Sequence, residues 1–430
     1  MQNIENYSSR GLGDRFIPLR KDTETTDFKI MRSLPHASAE KDGGILTQIF
    51  PFLENNVLNF NAHRTQAQTS ESLHKTIANE AAPLSAGGAK GAELYGASQA
   101  RVVRRGESLV LSAPGFRNDY YLNLLDVHSD KLIGTILGST IFLLRQTEHN
   151  FHAPLPLSCL AEGEFVEPTS LNFNRGMDSL VAFGTAEGEV RLLDWERDQI
   201  CGKLAPHSAR VGSLQWNPSR PHLLASGSKD HRVALSDTRE ARARPIEAAH
   251  CGEICGLAWN PNGLMLASGG NDNLVHVWDL RQLAGPLQTI RDHRAAVRAL
   301  DWCPWRPSLL ATGGGSGDMQ LLVTDIGKAR AVKRIKTNSQ ICALLWEEDA
   351  KGILTAHGFS RYQMALWSFP TEELVCEFVG HKHRVLSMVR SPEGSIFTGS
   401  ADESIRVWNM RNFVRKTAKS SSQLTPLTLR

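Results

Sequence analysis

A tryptophan recurs at an almost constant interval through the second half of the chain, and this repeat constrains the fold more than any other feature. It closes four similar hexapeptides, VGSLQW, ICGLAW, VRALDW and ICALLW, which end at Trp216, Trp259, Trp302 and Trp346, 43, 43 and 44 residues apart. One interval earlier Phe173 closes PTSLNF, and one interval later Arg390 closes VLSMVR. A further unit ends at Val127. The sequence therefore predicts seven copies of one structural unit.

Each unit has the same internal order of patterns. In the fourth unit the alternating segment ICGLAW is followed by the turn NPNG, the apolar segment LMLASGG, a turn containing Asp and the segment LVHVWD. Period-two alternation bounded by Gly, Pro, Asn and Asp predicts short strands and tight turns, so each unit predicts four strands, of which the last is weakest. A repeat of about 40–45 residues with Trp-Asp is the WD40 signature. We therefore predict an all-β fold, a seven-bladed WD40 β-propeller over residues 111–414.

Two units carry all four polar side chains that form an internal hydrogen-bond network in WD40 blades. These sets are His250, Ser268, Asp272 and Trp278 in the fourth unit, and His381, Thr398, Asp402 and Trp408 in the seventh. The resemblance implies that these histidines are structural, because they recur once per blade and do not converge on one site. In three other units Leu193, Ser236 and Thr324 stand where the tryptophan is expected.

The first 110 residues differ in composition from the repeats. All nine tryptophans follow residue 190, and the N-terminal stretch is rich in Ser, Thr, Asn, Gln and Ala. Such a segment buries too little apolar surface to offset the entropy of ordering. We expect a largely disordered arm over residues 1–110, with islands such as GDRFIPLR that fold onto a partner, and a flexible tail over residues 415–430.

Charge and cysteine usage restrict the class of protein. The 48 Lys and Arg nearly balance the 45 Asp and Glu, so we expect no binding to nucleic acid or to an anionic membrane through an overall field. No apolar run approaches the about 20 residues of a membrane span, and the first residues lack a signal peptide pattern. The seven cysteines are an odd number, which fits a reducing compartment. We expect a soluble protein of the cytoplasm and nucleus.

No motif indicates an enzyme, a metal or a cofactor. The segment HCGEIC brings His250, Cys251 and Cys255 together, but zinc sites commonly need a second ligand pair, and Cys255 falls at a strand position that suits a small buried thiol. The glycines of ASGGNDN and ATGGGSGD belong to blade turns, and neither stretch continues into the Gly-Lys-Ser/Thr of a phosphate loop. We therefore expect a non-catalytic binding platform without metal or cofactor.

Several separate motifs resemble those of the fizzy/fizzy-related, cell-division-cycle-twenty type activators of the anaphase-promoting complex/cyclosome, a ubiquitin ligase. GDRFIPLR (13–20) resembles their C-box, and APGFRNDYYLNLLD (113–126) resembles the segment that enters their propeller. The stretches at 267–279, 357–370 and 383–388 are similar as well. The resemblance covers residues 13–20 and essentially all of 111–430. It implies a substrate receptor that recruits degron-bearing proteins such as cyclins, in mitosis or meiosis.

The same resemblance implies which residues make the contacts. Binding to helical-repeat scaffold subunits of the ligase is assigned to the C-box and the C-terminal pair: Asp14, Arg15, Phe16, Ile17, Pro18, Arg20, Leu429 and Arg430. Binding of a Lys-Glu-Asn (KEN) degron is assigned to Asp119, Asn271, Asn273, Ser316, Gln340 and Arg384. Binding of a D-box degron is assigned to Leu111, Ser112 and Glu403. A carboxylate suits lysine, a guanidinium suits glutamate, and amides suit asparagine.

Departures from the family pattern leave alternatives open. Ser112 stands where the family commonly has a second acid in the D-box groove, and the C-terminal pair is Leu-Arg where Ile-Arg is usual. These departures are compatible with a tissue- or meiosis-restricted branch, such as the insect germline form called cortex. Two other functions remain: a WD40 scaffold of another complex, or a decoy that docks on the ligase and binds substrates poorly.

Overall fold

The computed structural model describes residues 103–104, 108–146, 155–156, 166–177, 179–240, 242–246, 250–359 and 361–409. These residues form seven β-sheets, six of four strands and one of five, and a 3-10 turn at Ile326–Lys328. The predicted all-β, seven-bladed propeller is confirmed. Over the same ranges we find no helix with the length and apolar character that crossing a membrane requires.

The strands of the first half follow the predicted order. Two strands precede the first blade, β1 (Val103–Arg104) and β2 (Ser108–Ser112). Blade 1 contains β3 (Leu125–Ser129), β4 (Leu132–Leu137), β5 (Thr140–Arg145) and β6 (Leu155–Pro156). Blade 2 contains β7 (Pro168–Phe173), β8 (Leu180–Thr185), β9 (Val190–Asp194) and β10 (Gln199–Leu204). Blade 3 contains β11 (Val211–Trp216), β12 (Leu223–Ser228), β13 (Val233–Asp237) and β14 (Arg242–Ile246).

The remaining four blades repeat this order. Blade 4 contains β15 (Ile254–Trp259), β16 (Met265–Gly270), β17 (Val275–Asp279) and β18 (Gln288–Ile290). Blade 5 contains β19 (Val297–Trp302), β20 (Leu309–Gly314), β21 (Gln320–Asp325) and β22 (Arg330–Lys336). Blade 6 contains β23 (Ile341–Glu347), β24 (Gly352–His357), β25 (Met364–Ser368) and β26 (Leu374–Phe378). Blade 7 contains β27 (Val385–Arg390), β28 (Ser395–Ser400) and β29 (Ser404–Asn409).

The polarity of the strands defines two faces of the propeller. The first strands of neighbouring blades contact one another around a central channel. We call the face at which the second strand of a blade ends and the third begins the top face. Because successive strands of a blade are antiparallel, the first strand begins at the top face and the fourth ends there.

The ring is closed by strands that lie before blade 1 in the chain. Strand β2 pairs with β29 and supplies the outer strand of blade 7, with Leu111 opposite Ile405. Strand β1 pairs in parallel with β26 at the outer edge of blade 6. Strand pairing therefore begins before the predicted propeller boundary at residue 111, and β1 lies inside the stretch predicted to be a disordered arm. Short sequences that pair with an edge strand have no core pattern of their own, so the sequence alone does not locate them.

The periodic tryptophans link each blade to the one before it. The indole N–H of Trp216 donates to the carbonyl oxygen of Asn172 at 3.1 Å, and that of Trp259 donates to Gln215 at 3.1 Å. Trp302 and Trp346 make the same bond to the preceding blade, at 3.0 and 3.1 Å. A tryptophan can repeat this contact only if the blade length stays nearly constant, which accounts for the regular spacing.

The two predicted hydrogen-bond networks are confirmed. In blade 4 His250 bonds to Asp272 at 3.0 Å and to Ser268 at 2.9 Å, and the indole N–H of Trp278 donates to the same Ser268 hydroxyl at 2.9 Å. In blade 7 the corresponding distances from the His381 ring are 3.1 Å to the carboxylate and 2.8 Å to the hydroxyl. Each network ties the loop before the first strand of a blade to its second and third strands.

Blades 3 and 5 have the histidine, the acid and the hydroxyl without the tryptophan. In blade 5 His293 bonds to Asp318 at 2.6 Å and to Thr312 at 2.7 Å. The residues in the tryptophan position, Ser236 and Thr324, are buried, and neither hydroxyl has a hydrogen-bond partner among the described residues. In these two blades a buried hydroxyl without a described partner therefore stands where other blades have the indole.

Candidate functional site

Five of the six residues assigned to the KEN degron lie in loops of the top face. Asn271 and Asn273 lie in the turn between β16 and β17, and Ser316 lies in the corresponding turn between β20 and β21. Gln340 and Arg384 directly precede β23 and β27, the first strands of blades 6 and 7. Strand polarity thus brings together residues that are far apart in sequence.

The sixth residue, Asp119, lies in residues 113–124, which cross the top face and which we call the crossing segment. The Tyr120 hydroxyl, buried in this segment, donates to the carbonyl oxygens of Ala296 at 3.4 Å and Ile341 at 3.3 Å. Ala296 also accepts the backbone N–H of Gly315, at the start of the turn that holds Ser316. The crossing segment therefore contacts the loops of blades 5 and 6.

A buried arginine holds the end of the crossing segment. The Arg298 side chain is 6% exposed, and its guanidinium donates to the carbonyl oxygen of Leu122 at 2.8 Å and to Oδ1 of Asn123 at 2.9 Å. The same group donates to the carbonyl oxygen of Cys342 at 2.7 Å and to that of Leu386. One cation thus ties the crossing segment to blades 5, 6 and 7. Together with Asn123 it lines a channel cavity of about 820 Å³ that extends toward the bottom face.

Asp119 belongs to a charged cluster on the top face. Its carboxylate accepts the backbone N–H of Tyr121 at 2.9 Å and Nη1 of Arg210 at 3.0 Å. Arg210 donates its other two nitrogens to Glu253, at 2.7 and 2.9 Å. Burial opposes the charge of Arg210, but hydrogen bonds to Glu253 and then Asp119 raise its pKa overall. Two carboxylates therefore share one guanidinium, and the cluster has a net negative charge.

Asn271 adjoins this cluster. Its side-chain oxygen accepts the Tyr121 hydroxyl at 3.1 Å, and its backbone N–H donates to the carbonyl oxygen of Glu253 at 2.8 Å. Asn273, at the other end of the same turn, has φ 66°, a left-handed conformation that Asn tolerates better than most residues. Tyr121 therefore connects Asp119 to the turn that carries both asparagines.

Arg384 lies at the other end of the site. Its Nε donates to Oδ1 of Asn118 at 3.0 Å, and its guanidinium carbon lies 5.3 Å from the centre of the Phe359 ring. Phe359 is 52% exposed, and its carbonyl oxygen accepts the backbone N–H of Gln340 at 3.4 Å. The Arg384 cation is thus held by neutral groups and has no carboxylate partner among the described residues, so it can accept an acidic ligand.

The side chain of Gln340 does not face solvent. It is 3% exposed, and its Oε1 has no hydrogen-bond partner within the described part of the chain. A Cβ built on Gly358 would lie 2.4 Å from that oxygen, so the amide is covered by the Gly358 backbone. A ligand can reach the Gln340 amide only if the loop that contains Gly358 and Phe359 shifts.

The three residues assigned to the D-box meet where β2 pairs with blade 7. Ser112 and Glu403 are exposed, and the Glu403 carbonyl oxygen accepts the backbone N–H of Ala113 at 2.7 Å. Leu111, however, is 2% exposed and packs in the core shared with blade 1. It supports the wall of a groove at this place, and little of its surface is open to a ligand.

Four residues that position the site were not anticipated from sequence: Tyr121, Arg210, Glu253 and Arg298. For Arg298 a signal exists, because the same place in the other aligned repeats is held by Thr169, Gly212, Cys255, Cys342 and Leu386. A cation at a channel-wall position that holds small or apolar residues in the other repeats indicates that it binds buried hydrogen-bond acceptors. For Arg210 and Glu253 the sequence offers no such contrast.

The one group of possible metal ligands among the described residues is His250, Asp272 and His276. Both ring nitrogens of His250 already bond within the network of blade 4, so this group is accounted for by the fold. Cys251 is exposed, whereas Cys255 is fully buried, and burial raises the pKa of its thiol. The expectation of a small buried thiol at residue 255 is confirmed.

The residues predicted to attach the chain to a ligase, from Asp14 to Arg20 and at Leu429 and Arg430, lie outside the described residues. Their role stays a prediction.

Comparisons with known proteins agree with this geometry. The sequence profile of the CDC20/Fizzy WD40 domain matches residues 111–408. "Cell division cycle 20.5, cofactor of APC complex" of Arabidopsis thaliana is 32% identical, over 97% of this chain and 93% of that protein. "Meiotic fizzy-related protein 1" of Schizosaccharomyces pombe is 31% identical, over 96% of this chain and 100% of that protein.

A solved structure gives the same result. A chain of the "Crystal Structure of Mitotic Checkpoint Complex" superposes with a TM-score of 0.65 at 33% identity, covering 75% of this chain and 99% of that one. The profile match extends from the strand that closes the ring to the last described strand, so it spans the whole propeller. The chain belongs to the CDC20/Fizzy family of WD40 proteins.

Proposed function

We propose that this protein is a non-catalytic activator and substrate-recognition subunit of the anaphase-promoting complex/cyclosome, acting in the cytoplasm and nucleus. The observation that carries the proposal is the top-face site, in which the crossing segment joins Asp119, Asn271 and Arg384. Relatives of high coverage are named as cofactors of that complex, which supports the same assignment here.

The site suits a KEN degron, because it offers a negatively charged cluster and also a guanidinium that has no acidic partner among the described residues. The cluster of Asp119 and Glu253 carries an excess negative charge next to Arg210 and can accept a lysine ammonium. Arg384, held by the neutral Asn118 and Phe359, can accept a glutamate. The amide of Asn271 can bond the degron's asparagine side chain.

A D-box degron would bind where β2 meets blade 7. Glu403 offers one exposed carboxylate to an arginine, and Ser112 beside it offers only a hydroxyl. We therefore propose that D-box binding is weaker than KEN binding in this protein. A second candidate function is a decoy that docks on the ligase and binds substrates poorly. Ser112 favours it, because this residue removes an acid from the D-box groove.

Attachment to the ligase is assigned to the C-box and to Leu429 and Arg430. Pro18 biases Ile17 toward an extended conformation, and Arg15 and Arg20 offer two guanidinium groups around an apolar centre. Such a peptide suits an apolar groove flanked by carboxylates on a helical-repeat subunit. The propeller would then hold the substrate, such as a cyclin, near the ligase.

The KEN assignment is tested with Arg384→Glu, a fluorescent peptide containing Lys-Glu-Asn, and the full chain. Losing a charge-assisted contact costs about 1.5–3 kcal/mol, so affinity should fall about tenfold or more. Lys382→Glu is the matched control, because it reverses a neighbouring exposed charge that is not assigned to the degron. Equal affinities for wild type and Arg384→Glu, with unchanged unfolding midpoints, would reject the assignment.

A further inference from the structure

The outer strand of blade 5 is long and basic, and no described strand pairs with its outer side. Strand β22 spans Arg330–Lys336 and pairs only with β21 among the described residues. Five cations fall on it or just before it: Lys328, Arg330, Lys333, Arg334 and Lys336. Since the whole chain is nearly neutral, this concentration of positive charge is a local feature.

Acidic neighbours neutralise only part of this charge. Lys333 pairs with Glu372 at 2.6 Å, Lys328 with Asp325 at 3.9 Å, and Arg334 with Asp292. Arg330 and Lys336 are exposed and have no acidic partner within the described residues. The edge therefore keeps positive charge at both of its ends.

Other outer edges of the propeller are shorter or interrupted. Strand β18 has three residues, β14 contains Pro245, and β10 is irregular between Ile200 and Gly202. In β22 the register shifts once, after Ala331, and pairing then continues without interruption from Lys333 to Lys336. Proline, shortness and irregularity protect an edge from strand addition. Strand β22 shares a single register shift with β10, but its upper half, the four residues from Lys333 to Lys336, pairs without a further shift and contains no proline.

The propeller already accepts an added strand at the neighbouring edge. In blade 6, β1 pairs in parallel with β26, with Val103 opposite Glu377. This pairing shows that an outer edge of the ring has room for a further strand. The basic side chains of β22 disfavour neutral or basic strands there and favour an acidic one.

We propose that the upper half of β22 binds an acidic polypeptide segment in extended conformation, by strand addition. Side chains on one face of a strand repeat about every 7 Å, so acids at alternate positions would match Arg334 and Lys336. The strand ends at the top face, shortly before Gln340, so a protein held at the top-face site can extend an acidic segment along this edge. The inference itself does not depend on the proposed function.

The test measures fluorescence anisotropy of a labelled ten-residue peptide of alternating Glu and Thr, added to the full chain at low salt. Arg334→Glu with Lys336→Glu should weaken binding about tenfold, because the two contacts with the peptide's acids become repulsive. The matched control is Arg220→Glu with Lys229→Glu, which reverses two exposed charges on blade 3 and should leave affinity unchanged. The same peptide N-methylated at alternate residues should not bind, because strand addition needs its N–H groups.

Other outcomes would overturn the proposal. It is rejected if no saturable binding occurs, if both double variants weaken binding equally, or if the N-methylated peptide binds as well as the parent. Binding of an oligothymidine probe in place of the peptide, lost in the edge variant, would assign the edge to nucleic acid instead. Arg384→Glu should leave peptide affinity at β22 unchanged, which separates this test from that of the KEN site.

Discussion

Replacing Thr324 with valine should raise the free energy of unfolding, although it removes a polar group from a packed blade. Thr324 lies on β21 and is 2% exposed, and its hydroxyl has no hydrogen-bond partner among the described residues. It occupies the place that Trp278 and Trp408 hold in blades 4 and 7, where an indole N–H completes the network. The threonine hydroxyl reaches no such partner within the described part of the chain.

The magnitude follows from the chemistry of the exchange. A buried hydroxyl without a partner costs about 1–3 kcal/mol, and valine replaces it with a methyl group of nearly the same shape. Valine keeps the β-branch that favours a strand, so no loss of propensity offsets the gain. We expect a stabilisation of about 1–2 kcal/mol, which for a domain of this size raises the melting temperature by about 2–3 °C.

Thr312→Val is the matched control, because it makes the same exchange in the same blade. The Thr312 hydroxyl bonds to Nε2 of His293 at 2.7 Å, so its removal leaves a buried ring nitrogen unpaired and should destabilise the protein by about 1–3 kcal/mol. Urea unfolding followed by tryptophan fluorescence measures both variants. If Thr324→Val destabilises as much as Thr312→Val, the Thr324 hydroxyl has a partner and the reasoning fails.

Two further predictions concern Asp301 and the D-box groove. Burial raises the pKa of the Asp301 carboxyl to about 7, above the value of about 3.9 in an unfolded chain. The folded state therefore binds this proton more tightly, and the stability gained from the proton should be lost as pH rises through about 7. Between about pH 4 and 7 the unfolding free energy of wild type should therefore fall more steeply than that of Asp301→Asn. If the two proteins show the same pH dependence, the prediction is wrong. Ser112→Asp should tighten binding of an arginine-bearing D-box peptide, more strongly at low salt, because exposed charge pairs are then less screened. Peptide titrations that give the same affinity for Ser112→Asp and wild type at low salt would mean that the groove lies elsewhere.

The repeating part of the fold was predictable because the blades pack against their neighbours through the same contacts. One tryptophan contact and one histidine network recur at fixed spacing, so aligning the units located His250, Trp278 and their counterparts correctly. The added strand β1 was missed, because two residues that pair with an edge carry no pattern of their own.

The site was predictable only in part. The resemblance assigned Asp119 and Arg384 to the site. Strand polarity places Arg384 on the top face, and the crossing segment places Asp119 there. The resemblance could not indicate that Arg210 would bond to the Asp119 carboxylate, because the two residues are 91 positions apart. Nor could it indicate that Arg298 would bond to Leu122 of the crossing segment, 176 positions away. Contacts between remote loops depend on the closed ring, and no local pattern encodes them.

Ubiquitin transfer by the reconstituted anaphase-promoting complex tests the central claim most directly. With a substrate that bears a Lys-Glu-Asn motif, adding the wild-type chain should raise the rate of transfer. Arg15→Ala, Ile17→Ala and Arg20→Ala together should abolish that gain while peptide affinity and melting temperature stay unchanged, because these residues lie outside the repeats. Transfer by the triple variant at the wild-type rate, or no gain from the wild-type chain, would contradict the account.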